Sequence, residues 1–101
     1  MSMASQLLAE ARKHHEAKRF AEAEGLYRRI VEATPDQIEA WVQLGMACAA
    51  QGKLREAIEV FQRVLAAAPD HVEALTQLGI VFAKQRRLPE ALAKLSRAVE
   101  L

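Results

Sequence analysis

The sequence predicts an all-helical chain of repeated helix pairs, and three observations carry that reading. Alanine is the commonest of the 101 residues, with 20 occurrences, and leucine follows; both are strong helix formers. Val and Ile are scattered singly rather than gathered into alternating strand-like runs. The helix breakers recur at a fixed spacing of 34 residues, from Pro35-Asp36 to Pro69-Asp70. Sliding the chain by that period aligns Ile38-Glu-Ala-Trp-Val-Gln-Leu-Gly45 with Val72-Glu-Ala-Leu-Thr-Gln-Leu-Gly79. Over residues 38–67 against 72–101, 11 of 30 positions are identical. A fixed period of this length marks a stack of supersecondary units.

Six helices are expected, over about residues 4–17, 20–33, 37–51, 54–67, 71–85 and 88–100. The first pair fits the period loosely: Phe20, Ala23 and Tyr27 stand one period before Leu54, Ala57 and Phe61. The third and fifth helices open on Asp36-x-x-Glu39 and Asp70-x-x-Glu73, which read as capping boxes. In such a box a carboxylate accepts orphan backbone N–H groups and a glutamate reaches back. Gly52 falls where the third helix must stop, suited to a left-handed C-terminal cap. Lys18 and Arg86 stand at the equivalent positions and do not favour that conformation, so those turns are expected to be built differently. In the fourth helix Ala57, Phe61, Val64 and Leu65 share one side. Pro89 lies in the first turn of the sixth helix, where it costs little, ahead of a face of Ala91, Leu95, Ala98 and Val99. Gly45, Gly79, Ala57 and Ala91 leave no room for a side chain, so helix backbones are expected to approach closely there. A pair of helices this short cannot bury its apolar face alone and needs a stacked neighbour.

Composition narrows the function classes. Hydrophobic residues make up 51% and charged residues 27%, a globular composition. Lys and Arg total 14 against 13 Asp and Glu, a near-balance that argues against nucleic acid as a partner. The apolar runs are short, so no membrane span is expected, and the N-terminus lacks the features of a secretory signal. A cytoplasmic location is the expectation. The single cysteine, Cys48, excludes an internal disulfide framework and a multi-cysteine zinc site.

Trp41-x-x-Leu44-Gly45-x-x-Cys48, Ala57-x-x-x-Phe61 and Pro69 resemble the tetratricopeptide repeat signature in order and spacing. The next unit matches with Leu75, Leu78, Gly79, Phe82, Ala91, Leu95 and Ala98. The first matches with Leu7, Ala11, Ala23, Tyr27 and Pro35, while His14 takes a usual aromatic place and Glu10 a usual leucine place. The resemblance covers essentially the whole chain, read as one domain over residues 1–101 with repeats at about 4–37, 38–71 and 72–101, the last cut short. It implies a right-handed α-α superhelical solenoid whose first helices line a concave groove, and a scaffold that docks a peptide or a partner helix.

The resemblance places Leu8, Arg12, Val42, Gln43, Met46, Gln77 and Ile80 on that groove. Its middle is apolar, and Gln43 and Gln77 could bond an extended ligand's backbone, since an amide both donates and accepts. Burying three or four apolar side chains contributes about 4–8 kcal/mol before ordering costs, which suits micromolar binding of an amphipathic helix or hydrophobic peptide. The family's carboxylate clamp would fall on Leu8, Arg12, Gln43, Glu73 and Gln77. Only Arg12 is basic and Glu73 has the wrong sign, so an acidic chaperone tail is not expected there. The competing reading of the groove residues is plain packing between neighbouring helices.

Catalysis is not expected. His14 and His15 point about 100° apart on a helix and lack a third ligand, so no metal site is expected, and no cofactor. Cys48 reads as a small core hydrophobe rather than a nucleophile. Asp36 and Asp70 are the only aspartates and read as caps, and no glycine-rich loop exists to cradle phosphate. The basic groups Arg12-Lys13, Lys18-Arg19, Arg28-Arg29 and Lys84 with Arg86-Arg87 read as solvated helix surface.

The last helix raises a second expectation. Leu92, Leu95, Val99 and Leu101 have no following helix to cover them. An apolar face of this kind points to a partner or a missing piece. Three outcomes are then expected: the chain self-associates as a homo-oligomer through that face, is the N-terminal targeting arm of a longer enzyme, or stands alone as a module that tolerates the exposure. Repeats of this Ala-, Leu- and Arg-rich style look similar to bacterial arrays that precede glycosyltransferase or sulfotransferase domains.

Overall fold

A computed structural model describes residues 2–101. Six helices form, and no strand occurs among the described residues: α1 (Met3–Glu16), α2 (Phe20–Ala33), α3 (Ile38–Ala50), α4 (Leu54–Ala67), α5 (Val72–Lys84) and α6 (Leu88–Glu100). They pair as the hairpins α1–α2, α3–α4 and α5–α6, and each hairpin stacks on the next through α2 on α3 and α4 on α5. The first helices α3 and α5 also touch directly. The stack measures 42 × 24 × 18 Å, drawn out along one axis as expected when each unit contacts only its neighbours.

The helix starts depart from the expected capping boxes. The N-cap of α3 is Gln37, with no side-chain hydrogen bond, and the N-cap of α5 is His71. The reason lies in the preceding turn. Gln37 N–H donates to Thr34 O and His71 N–H to Ala68 O, both at 3.1 Å. That places each Pro-Asp pair at the two central positions of a β-turn, where proline is favoured first. Asp36 and Asp70 therefore lie inside the turn, one residue before the N-cap of each helix. His71 replaces the carboxylate at α5: its Nδ1 accepts from Ala74 N–H at 3.1 Å. The ring proton then sits on Nε2, which donates to Glu39 Oε1 at 3.1 Å and ties α5 to α3. At α1, Ser2 caps by accepting from Ser5 N–H.

The three intra-hairpin turns are alike, contrary to the expectation for Lys18 and Arg86. Gly52 has φ +79°, and Lys18 and Arg86 take φ 61° and 60°. Each turn closes with the same two bonds. Lys53 N–H reaches Cys48 O, as Arg19 N–H reaches His14 O and Arg87 N–H reaches Phe82 O. Gly52, Lys18 and Arg86 N–H reach Ala49, His15 and Ala83 O. This is the Schellman pattern, and the carbonyls it satisfies outweigh the left-handed strain at two non-glycine residues.

The core runs continuously through all three hairpins. Tyr27, Phe61, Ile30, Leu44, Leu78, Val64 and Val81 are fully buried, interleaved with Ala11, Ala23, Ala40, Ala57 and Ala74. The close approach expected at Gly45 and Gly79 is made mainly by side chains rather than backbones. A Cβ at Gly45 would lie 2.6 Å from the Phe61 ring, and one at Gly79 would lie 2.6 Å from Leu95 Cγ. Glycine there lets the large residue of the second helix lie flat against the first.

Candidate functional site

The expected groove residues divide by burial. Leu8 and Met46 are half-buried and pack against the core, Gln43 and Gln77 are half-buried, and Arg12 and Ile80 are exposed. Val42 is a correction: it is fully buried at 0% exposure, so no ligand can reach it. A valine flanked by half-buried Trp41 and Gln43 has turned into the core rather than onto the surface. Among the described residues, no intrachain hydrogen bond engages the side-chain amides of Gln43 and Gln77. A cavity of about 230 Å³ opens where α1, α2 and α3 meet, lined by Arg12, His15, Glu16, Tyr27 and Gln43. Tyr27 reads in the sequence only as a core aromatic. The signal for more is its hydroxyl, since the equivalent residue one period later is Phe61.

The C-terminal face is open at Leu92, Val99 and Leu101 and partly closed at Leu95. Leu92 is 67% exposed and Val99 87%, whereas Leu95 is half-buried against Gly79. Leu92 stands one period after Ile58, which is 7% exposed because α5 packs on α4. Leu92, Leu95, Ser96, Val99 and Glu100 line a shallow depression of about 460 Å³.

One polar cluster is not evident from the sequence pattern. Glu24 occupies the position of Ile58 and Leu92 and is almost fully buried. Its Oε2 accepts from Arg28 Nε at 2.8 Å, and its Oε1 from Gln51 Nε2 at 2.7 Å and Lys53 Nζ at 3.0 Å. Burial alone would raise the carboxyl's pKa, but the bonds from Lys53, Arg28 and Gln51 outweigh it and hold the group down at about 2. Arg28, read from the sequence as solvated, also donates to Glu56 Oε2 at 3.1 Å. One charge-assisted cluster thus rivets α2 to α3 and α4. A polar residue at an otherwise apolar periodic position was the available clue.

Glu24, Cys48 and Glu56 bring donor atoms within 4.8 Å of one another, a spacing that a metal could use. The chemistry argues against it, because Arg28 and Lys53 already neutralise these carboxylates. Burial first, then Glu24, pushes the Cys48 thiol up to about 11, which disfavours the thiolate that a metal or an electrophile needs.

The architecture is that of a stacked helical-hairpin solenoid presenting first helices along one face. The tetratricopeptide repeat profile matches residues 42–101, and a second profile of the same description matches residues 14–60. The chain belongs to the tetratricopeptide repeat family. No curated protein matches the sequence. Among solved structures it is similar to YrrB, a TPR protein with an unusual peptide-binding site, with TM-score 0.92 and 26% identity over 99% of this chain and 52% of YrrB. It is also similar to the type III secretion translocator chaperone SycD of Yersinia enterocolitica in an alternative dimer, with TM-score 0.92 and 16% identity over 96% of this chain and 74% of that one. MamA of AMB-1 gives TM-score 0.88 and 22% identity over 97% of this chain and 54% of MamA. The last two likenesses concern the fold alone. The chain spans about half the length of YrrB and MamA. No helix among the described residues is long and apolar enough to cross a membrane.

Proposed function

We propose that this chain is a non-enzymatic interaction scaffold that docks a short peptide or a partner helix on the surface carried by Leu8, Arg12, Gln43, Met46, Gln77 and Ile80. The carrying observation is the mixture on that face. Exposed Ile80 and half-buried Met46 and Leu8 offer apolar contact, and the unengaged Gln43 and Gln77 amides offer backbone hydrogen bonds. A preformed helical face loses little ordering entropy on binding. The likeness to YrrB, a peptide-binding TPR protein, supports the same reading.

The test is a peptide-display selection on the immobilised chain, followed by affinity measurements on folded Met46→Glu and Ile80→Glu variants. Selected apolar peptides should lose about tenfold or more in affinity, equal to about 1.4 kcal/mol. Peptides bound equally by the variants would place recognition elsewhere.

A second reading, self-association, is favoured by the exposed Leu92 and Val99. Head-to-tail stacking does not suit it. The α1 positions one period before Ala40, Leu44 and Ala47 are Gln6, Glu10 and Lys13, all exposed and polar. The α6 face would then meet its own counterpart about a two-fold axis.

A further inference from the structure

The apolar stripe along α6 reads the same in both directions. Leu88, Leu92, Leu95 and Val99 are spaced four, three and four residues apart, the alternation of a two-helix seam. Leu88, Leu92 and Val99 are exposed, and Leu95 is half-buried. The equivalent stripe on α4 is Leu54, Ile58, Phe61 and Leu65. There α5 packs on the helix, and all four residues are buried or half-buried. The α6 stripe is thus a packing surface without a packed neighbour among the described residues.

The two ends of the stripe set α6 apart from α4. Arg86 stands one period after Gly52, and Glu100 one period after Ala66. Compared with α4, α6 therefore gains a cation just before its N-terminus and an anion at its C-terminus. Both residues are exposed, and Glu100 joins Leu92, Leu95 and Val99 in lining the depression on this face. Glu100 is loosely held by its own chain, 3.9 Å from Arg97 Nη1. Stacking of one hairpin on the next requires neither charge, since α4 stacks with Gly52 and Ala66 in their places.

Opposite charges at opposite ends suit a second α6 running the other way. An antiparallel copy sets Leu88 against Val99 and Leu92 against Leu95, and it brings the Arg86 end of each chain to the Glu100 end of the other. The two helix dipoles then also lie head to tail. A parallel copy would place Arg86 beside Arg86 and Glu100 beside Glu100, which is repulsive. We propose that this chain forms a two-fold dimer in which α6 packs antiparallel on the α6 of a second copy, with Arg86 facing the partner's Glu100 at both ends. The proposal rests on the self-association reading and adds its orientation and its charged contacts. One pair of 13-residue helices is a small interface, so a Kd on the order of 10–100 μM is expected.

The test is sedimentation equilibrium of the full chain at about 50 mM salt, where charges are weakly screened. The samples are the native chain, Arg86→Glu, Glu100→Lys and an equimolar mixture of the two variants. Both substitutions fall on exposed residues, and thermal melts check that each variant is folded. Each variant alone should dimerise about fivefold more weakly than the native chain, because both charged contacts turn repulsive. The mixture should return to about native affinity, because each variant supplies the charge that the other then lacks. Variants that dimerise as tightly as the native chain, or a mixture no tighter than the variants alone, would overturn the antiparallel arrangement and leave self-association standing. A native chain that stays monomeric, or a dimer indifferent to Leu92→Lys combined with Val99→Lys, would overturn both.

Discussion

Lys53 Nζ lies 3.0 Å from Glu24 Oε1, so the turn after α3 is fastened to the middle of α2 by a nearly buried carboxylate. The sign of the pH effect follows. The Glu24 carboxyl is held at about 2 in the folded chain against an ordinary value of 4.5, so folding favours its ionised form. The stabilisation is complete above about pH 4.5 and is lost as pH falls towards 2. Solvent reaches Arg28 and Lys53, so the loss should be on the order of 1–2 kcal/mol. Chemical denaturation across that window should show it, and Glu24→Gln should flatten the profile there.

Turn substitutions test the shared left-handed geometry. Lys18→Gly and Arg86→Gly should each stabilise by about 0.5–1 kcal/mol, since both residues are exposed and hold φ near 60°. Gly52→Ala should destabilise by about 1 kcal/mol. Thermal melts of the three variants check the opposite signs.

Two helical glycines should respond in opposite ways to alanine. A Cβ at Gly25 meets nothing within 4 Å, so Gly25→Ala should gain about 0.5–1 kcal/mol from helix propensity. At Gly45 the same change drives a methyl into the Phe61 ring and should cost about 1–3 kcal/mol. Equilibrium urea unfolding measures both.

The α6 face predicts a concentration-dependent sedimentation coefficient. Leu92→Lys combined with Val99→Lys should remove that dependence without unfolding the chain, because both side chains are exposed. A native chain that sediments as a monomer throughout would reject self-association through α6.

The helices were legible because the 34-residue period, the alanines and the punctuating prolines all agree. What was not legible depended on competition between local options. Asp36 and Asp70 satisfy a capping pattern, but the proline before each places it inside a β-turn instead. Lys18 and Arg86 looked unsuited to a left-handed turn, yet the carbonyls gathered by the Schellman bonds decide the geometry. Val42 carries a groove position in the family frame but faces the core, a distinction of helix rotation that spacing alone does not settle. Glu24 and Tyr27 were visible only as departures from their periodic equivalents, Ile58 and Phe61.

Under the proposed function a peptide docks on the first-helix face. The most direct test is chemical-shift mapping of the labelled chain with a peptide from the display selection. Saturable perturbation is expected at Leu8, Gln43, Met46, Gln77 and Ile80, with Leu92 and Val99 unmoved. Perturbation confined to Leu92, Leu95 and Val99 would contradict it.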